Sequence, residues 1–136
     1  MPNPPSAVSL YVAIYNDEGI YKHWNLFLDG PTTSQKIMLE AMGSSTRYYF
    51  QQRIEDARAS DILHELIYMC DVPVSTLDAI QLAKSLPIHN EYPGYNCQDF
   101  VLELLGELET RGVIGGDDRE YQRRKEVVAG KQEGLL

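Results

Sequence analysis

The sequence is short of cysteine, of basic residues and of long apolar runs. Its 136 residues include two cysteines, Cys70 and Cys97, and three histidines. Two cysteines exclude a disulfide-rich scaffold, and the Cys and His residues lack the paired spacing of a zinc site. We therefore predict no metal and no cofactor. No segment approaches the roughly 20 apolar residues that a membrane-spanning helix needs.

The charge balance argues against two classes of partner. Twelve Lys and Arg residues stand against twenty Asp and Glu residues, which gives a net charge of −8. Nucleic-acid binders need a surplus of cations to contact phosphates, so we expect no nucleic-acid partner. The start of the chain, residues 1–5, lacks the basic and apolar regions of a signal peptide. We expect a cytoplasmic protein without an integral membrane segment.

The order of the elements predicts a single α+β domain. We expect a loose leader over residues 1–7, the domain over residues 8–114 and a polar C-terminal extension over residues 115–136. A mostly antiparallel sheet of four or five strands, opened by a hairpin, should pack against one long helix. The predicted strands are residues 8–15, 21–29, 36–42 and 47–54. The predicted helices are residues 75–85 (with a capping box at Ser75), 96–111 and 117–128. Residues 61–70 are ambiguous, since their early part fits a helical turn and residues 66–70 fit a strand.

Cys97 is predicted to open the long helix. Asn96 and Asp99 form a cap-plus-acid pattern at its start. The helical spacing places the thiol on one apolar face with four other residues, namely Val101, Leu104, Leu105 and Leu108. The thiol should point toward the sheet from a helix N-terminus, where unpaired N–H groups and the helix dipole favour a thiolate and can hold an oxyanion. The alternative is a small buried side chain at the head of a core helix.

Polar residues in apolar strands supply a candidate partner of Cys97 and two candidates for orienting that partner. His23 is placed in the middle of the strand 21–29, where burial requires a polar partner, and a thiol on the overlying helix would suit it. A third group usually fixes the imidazole tautomer. Glu40, an acid inside an apolar strand, is the first choice and Asn25 the second. A core histidine bonded to backbone and a solvent-facing Glu40 are the structural alternatives.

These motifs together resemble the circularly permuted papain-like superfamily, which includes NlpC-type peptidases and lecithin–retinol acyltransferase-like proteins. The matching segments are His23-Trp24 at a strand and, later, Asn96-Cys97-Gln98-Asp99-Phe100-Val101 opening a helix. In that superfamily His precedes Cys in the chain, as here. The resemblance covers roughly residues 8–111. Glu40 stands where the acyltransferase branch usually has histidine, and Gln98 stands where Glu is common.

The resemblance implies a cysteine-dependent hydrolase or acyltransferase with a permuted papain-like fold. Cys97 would be the nucleophile and would form a covalent thioester. His23 would transfer the proton, and Glu40 would orient His23. The backbone N–H of Cys97 would contribute to the oxyanion site.

The resemblance also places the loop before Cys97 at the border of the cleft. Tyr92 and Tyr95 of this loop, together with Trp24 and Asn25, are therefore candidate binding residues for a small-molecule or peptide acyl substrate. Two other interpretations stay open. One is a non-catalytic binding module on the same fold, with Cys97 and His23 structural, and the other is a dimerising protein that uses its C-terminal helix. The sequence leaves the oligomeric state open.

Overall fold

The structure, a computed structural model, describes residues 7–133. Strands come first in the chain and helices follow, which confirms the α+β class. The strands are β1 Ala7–Tyr15, β2 His23–Asp29, β3 Lys36–Met42, β4 Tyr49–Ile54 and β5 Leu63–Pro73. The helices are α1 Leu77–Ile80, α2 Cys97–Thr110 and α3 Arg119–Gly130.

The five strands form one antiparallel sheet in the order β4–β3–β2–β1–β5. β1 and β2 are the predicted hairpin. Leu26 pairs with Leu39 between β2 and β3, and Met38 pairs with Arg53 between β3 and β4. This register decides which side chains of the three strands β2, β3 and β4 share a face.

The two faces of the sheet differ in what covers them. α2 packs on β2 and β3, and α3 packs on β5. The main core lies beneath α2 and consists of apolar side chains from the sheet and the helix, among them Leu10, Val12, Trp24, Leu26, Leu39, Val101, Leu104, Leu105 and Leu108. The opposite face carries a smaller cluster, formed by Ala13, Tyr15, Phe27, Met38 and Ala57. A polar site therefore has room on the second face.

β3 begins and ends where the sequence predicts, whereas β4 begins two residues late. Gly43 follows β3 with a φ of +119°. A Cβ on this residue would lie 2.6 Å from the carbonyl oxygen of Arg47, so the turn requires glycine. Thr46 also has a positive φ. Arg47 and Tyr48, which the prediction assigned to β4, instead connect this turn to the strand.

The structure decides one open alternative and corrects one prediction. Asp61 and Ile62 form a turn, which the Leu63 amide closes by donating to the Ser60 carbonyl, and β5 then runs from Leu63 to Pro73 with two irregularities in its pairing to β1. The predicted helix 75–85 is one α-helical turn between two 3-10 turns. Ser75 lies inside the first of these turns, which is capped at Pro73, and so it does not cap the helix.

The ends of the chain are described in part. Of the predicted leader, residues 1–6 lie outside the described residues and Ala7 opens β1. In the polar extension, α3 begins and ends two residues later than predicted, and its Tyr121 and Val128 are buried. Residues 134–136 also lie outside the description. Within residues 7–133, no helix combines the length and the apolar character needed to cross a membrane.

The packing beneath α2 predicts unequal effects of two truncations in the same helix. Leu104 is fully buried and Leu102 only partly. We expect Leu104→Ala to lower the free energy of unfolding by about 2–5 kcal/mol, because a buried cavity is left behind. Leu102→Ala should cost clearly less. Urea unfolding measures both, and equal losses would contradict this packing of α2.

Candidate active site

A group of polar side chains lies on the face of the sheet opposite α2. Successive side chains of a strand point to opposite faces. His23 and Asn25 of β2 and Glu40 of β3 each alternate with residues of the main core. Those core residues are Trp24, Leu26, Leu39 and Ala41. The three polar side chains therefore share the second face.

Glu40 is the centre of this group, and its side chain is fully buried. Its Oε1 accepts hydrogen bonds from His23 Nε2 at 2.7 Å and from Asn25 Nδ2 at 3.2 Å. Its Oε2 accepts from Arg53 Nε at 2.7 Å. Burial alone raises the pKa of a carboxyl group, but the bonds from His23, Arg53 and Asn25 outweigh burial and lower the pKa of Glu40 to about 2. Glu40 is therefore an anion at neutral pH.

The two candidates for orienting His23 occupy different places. Glu40 contacts the imidazole directly, and because it is anionic it accepts a hydrogen bond from the N–H group at Nε2. Asn25 donates to Glu40, and its Oδ1 accepts from the Tyr15 hydroxyl at 3.2 Å. Glu40 thus orients the ring, and Asn25 supports Glu40.

His23 is the first residue of β2 and does not lie in mid-strand as expected. This place at the end of the sheet lets its ring approach the start of α2 although α2 covers the other face. Nε2 is bonded to Glu40, which leaves Nδ1 available to Cys97. Burial lowers the pKa of His23, but hydrogen bonds to the Cys97 and Glu40 side chains outweigh it and raise the pKa to about 9.

Cys97 is the first residue of α2, and its side chain belongs to the buried face of that helix. The cap brings together Asn96 Oδ1 and the Gln98 amide at 2.8 Å, and Asp99 Oδ2 and the Asn96 amide at 2.9 Å. The amide of Cys97 has no carbonyl partner within the helix because it opens the first turn. The thiol is 3.8 Å from the Lys22 carbonyl oxygen. Negative charge on the sulfur, or on an oxygen bound beside it, would be stabilised by both the helix N-terminus and a protonated His23.

A cavity of about 520 Å³ opens beside His23 and Cys97, and both residues line it. Its wall is mainly apolar and aromatic, with contributions from Tyr15, Ile20, Tyr21, Met38, Met42 and Tyr48. Ile20 is 89% exposed, an unusual state for an isoleucine at the edge of a cavity. The volume suits a small molecule or a short segment of a larger one. Among residues 7–133, no three His, Cys, Asp or Glu side chains are grouped to hold a metal ion.

The predicted tyrosines do not line this cavity. Tyr92 is exposed and stacks on His89, with 5.0 Å between the ring centroids. Tyr95 is buried, and its ring packs against Tyr48. Their loop turns toward the start of β4 because the Asn90 side chain bonds both the amide and the carbonyl of Tyr48. The loop therefore places Tyr48, and not the two predicted residues, at the cavity.

The other two predicted binding residues are also absent from the lining. Trp24 is 1% exposed and packs in the core beneath α2. Asn25 is fully buried in the network of Glu40. Both lie close to His23 in sequence, but strand alternation turns Trp24 away and the Glu40 contact occupies Asn25.

Arg53 is the residue of this site that sequence reasoning missed. Its Nε and Nη2 both reach Glu40, at 2.7 and 3.4 Å. It shares the face of Glu40 because it pairs with Met38 across β3 and β4. The available signal was an arginine in a predicted strand, between Gln52 and Ile54, but a single arginine does not reveal the register with β3.

Fold and site together define a class: an α+β protein whose antiparallel sheet ends in a carboxylate–histidine pair that meets a cysteine beside a cavity. The model of a family of unknown function, DUF6540, matches residues 10–115, and the chain belongs to that family. The matched range contains His23, Glu40 and Cys97. Comparison with curated proteins and with solved structures gave no match.

The raised pKa of His23 predicts a pH-dependent free energy of unfolding. Histidine has an ordinary pKa of 6.5, and His23 in the folded protein titrates near 9. Between these pH values the folded state holds a proton that the unfolded state has released. The stabilisation is therefore complete below about pH 6.5 and is lost as the pH rises through about 9. Urea unfolding across this window should show a falling stability.

The same series on two variants isolates the contribution of His23. The decrease should be smaller in His23→Gln, which does not titrate. It should persist in His64→Gln, which replaces an exposed histidine on β5. An unchanged decrease in His23→Gln would assign the effect to other groups and contradict the raised pKa.

Proposed function

We propose that the protein is a thiol-dependent acyl-transfer enzyme, a hydrolase or acyltransferase that acts on an amide, ester or thioester. The observation that carries this proposal is the ring of His23, held by Glu40 on one side, at the wall of a cavity that Cys97 also lines. In this proposal the fold is a permuted papain-like arrangement, with the nucleophile at the N-terminus of α2.

The first half of the reaction forms the thioester. Nδ1 of His23 takes the proton of Cys97, and the resulting imidazolium is stabilised by the Glu40 carboxylate. The thiolate attacks the carbonyl carbon of the substrate, and a carbon–sulfur bond forms while the carbonyl electron pair moves to oxygen. When the tetrahedral adduct collapses, the leaving group departs with the proton from His23.

The second half releases the acyl group. Water or an acceptor amine or alcohol gives a proton to His23 and attacks the thioester carbon. The carbon–sulfur bond then breaks, the proton on His23 either stays there or passes to the departing sulfur, and Cys97 is regenerated. The Cys97 amide, which begins the helix, would donate a hydrogen bond to the oxyanion in both halves.

The cavity favours a small, uncharged or cationic acyl substrate. Its cationic lining residues, His23 and Arg53, are both bonded to Glu40, and Asp17 and Glu55 also contribute to the wall. The whole chain carries a net charge of −8. Polyanionic substrates are disfavoured by these charges, and the apolar side chains of the wall suit an acyl group or an apolar peptide side chain.

One observation favours a second function, a non-catalytic binding module on the same fold. The Cys97 thiol donates to the Lys22 carbonyl and is only 6% exposed. A neutral thiol satisfied in this way is typical of a structural cysteine. The cavity would then bind its ligand without a covalent step.

The two functions differ in the reactivity of Cys97. If Cys97 and His23 form a thiolate–imidazolium pair, iodoacetamide should alkylate Cys97 at about pH 6, where an ordinary thiol reacts slowly. His23→Ala should lower this rate by roughly a hundredfold, because the thiolate loses its counter-ion. Mass spectrometry of each cysteine at a series of pH values measures the rates.

The chain contains its own controls for this experiment. Cys70 is half-buried, and burial raises its pKa to about 11, so it should stay inert at mildly acidic pH. His64→Ala, at an exposed position, should leave the Cys97 rate unchanged. A Cys97 that is as inert as Cys70, or that reacts equally without His23, would exclude the acyl-transfer mechanism and favour the binding module.

A further inference from the structure

The residues just after α3 lie across the start of both elements that carry the candidate site. Gln132 Nε2 donates to Asp99 Oδ1 at 2.7 Å, and the carbonyl oxygen of Glu133 accepts from Asn96 Nδ2 at 3.3 Å. Both partners belong to the cap of α2. We name Gln132 and Glu133 the C-terminal clasp.

Glu133 joins the start of α2 to the residue before β2. Its amide donates to Gln98 Oε1 at 2.6 Å, and its Oε1 accepts from Gln98 Nε2 at 3.2 Å. The same Oε1 accepts from the Lys22 amide at 2.9 Å. One carboxylate oxygen therefore contacts both chain segments.

Gln98 closes this connection from the other side. It is fully buried, and its Nε2 also donates to the Lys22 carbonyl at 2.9 Å. Lys22 precedes His23 and Gln98 follows Cys97, so each bonded residue is the chain neighbour of a residue of the proposed pair. The Lys22 carbonyl is also the acceptor of the Cys97 thiol.

We propose that Glu133 is a positioning residue, which holds the thiol of Cys97 against the imidazole of His23 through Gln98 and Lys22. This inference rests on the proposed acyl-transfer function. Nε2 of His23 is fixed by Glu40, but the strand end that carries the ring has no partner strand at Lys22 and requires another anchor. The C-terminal clasp supplies that anchor.

The geometry of the clasp also says which property of Glu133 matters. The contact of its Oε2 with Lys22 Nζ is 3.5 Å long and joins side chains that are more than a third exposed. Such a pair contributes little. The bonds to the Lys22 amide and to buried Gln98 need an acceptor oxygen and not a charge, so glutamine at position 133 retains them.

α3 sets the position of the clasp. This helix packs on β5. After its last turn, Nζ of Lys131 lies 3.2 Å from Oε1 of Glu65 on β5. The clasp lies beyond residues 10–115, the range of the family match. The proposed positioning thus connects the family domain to a segment that follows it.

The test compares Glu133→Ala, which removes the acceptor, with Glu133→Gln, which keeps it. Two readouts are needed, the iodoacetamide alkylation rate of Cys97 at about pH 6 and the titration of the His23 imidazole by NMR. We expect Glu133→Ala to lower the rate by roughly ten- to a hundredfold, since a displacement of about 1 Å has effects of that size. The titration of His23 should move to lower pH, because the interaction with Cys97 that raises the pKa of His23 is weakened.

Three controls keep the result interpretable. Glu133→Gln should restore both readouts to near the wild-type values. Glu126→Gln, a matched change at an exposed glutamate of α3, should alter neither. Gln98→Glu removes the donor to Lys22 from the other side of the clasp and should cause a similar loss, while circular dichroism verifies that each variant is folded.

The outcomes separate this inference from the proposed function. If wild-type Cys97 is reactive and Glu133→Ala changes neither readout, the positioning role is wrong. If wild-type Cys97 is inert but Glu133→Ala still shifts the His23 titration, the acyl-transfer function is wrong and the clasp stands. Equal losses in Glu133→Ala and Glu133→Gln would also overturn the inference, because they would show that the negative charge of Glu133 is needed and that an acceptor oxygen is not sufficient.

Discussion

A carboxylate buried in the sheet, that of Glu40, is the constraint on which the site depends. A charge without solvent is costly unless it is paired and hydrogen-bonded, and removing one partner leaves the other charge uncompensated. The partners of Glu40 come from two other strands, Asn25 and His23 from β2 and Arg53 from β4. A one-residue shift in the pairing of either strand would turn these side chains to the opposite face and leave the carboxylate buried without partners. Glu40 therefore specifies the register of three strands and the orientation of His23 together.

The second requirement is a meeting point between two layers of the fold. α2 covers one face of the sheet, and the Glu40 network lies on the other, so a helix residue can reach His23 only where the sheet ends. β2 begins at His23, and α2 begins at Cys97. The Asn96 cap and the Lys22 carbonyl hold the helix start at this edge. A site built in this way depends on how the starts of β2 and α2 are anchored more than on the packing of the core.

Local patterns predict four of the five strands and the nature of several site residues. An apolar run that ends at a glycine predicts β3, and an acid in that run, Glu40, requires a partner. The cap and the apolar stripe predict α2. The remainder depends on contacts between segments distant in sequence. Arg53 enters the site only through the pairing of β3 with β4, and the loop of Tyr92 is directed by Asn90 bonding to Tyr48, so neither local pattern contained the answer.

The family match contains the residues of the proposed catalytic group but ends before Glu133. Residues 10–115 contain Glu40, His23 and Cys97, so the proposed acyl-transfer chemistry can be tested in other members of the family. Glu133 follows that range and bonds to Gln98 and Lys22, the chain neighbours of the proposed pair. In the proposed papain-like arrangement, glutamine replaces a common glutamate at position 98. An amide there donates to Lys22 and accepts from Glu133 at once, which a carboxylate cannot do, so the C-terminal clasp gives this substitution a physical reason.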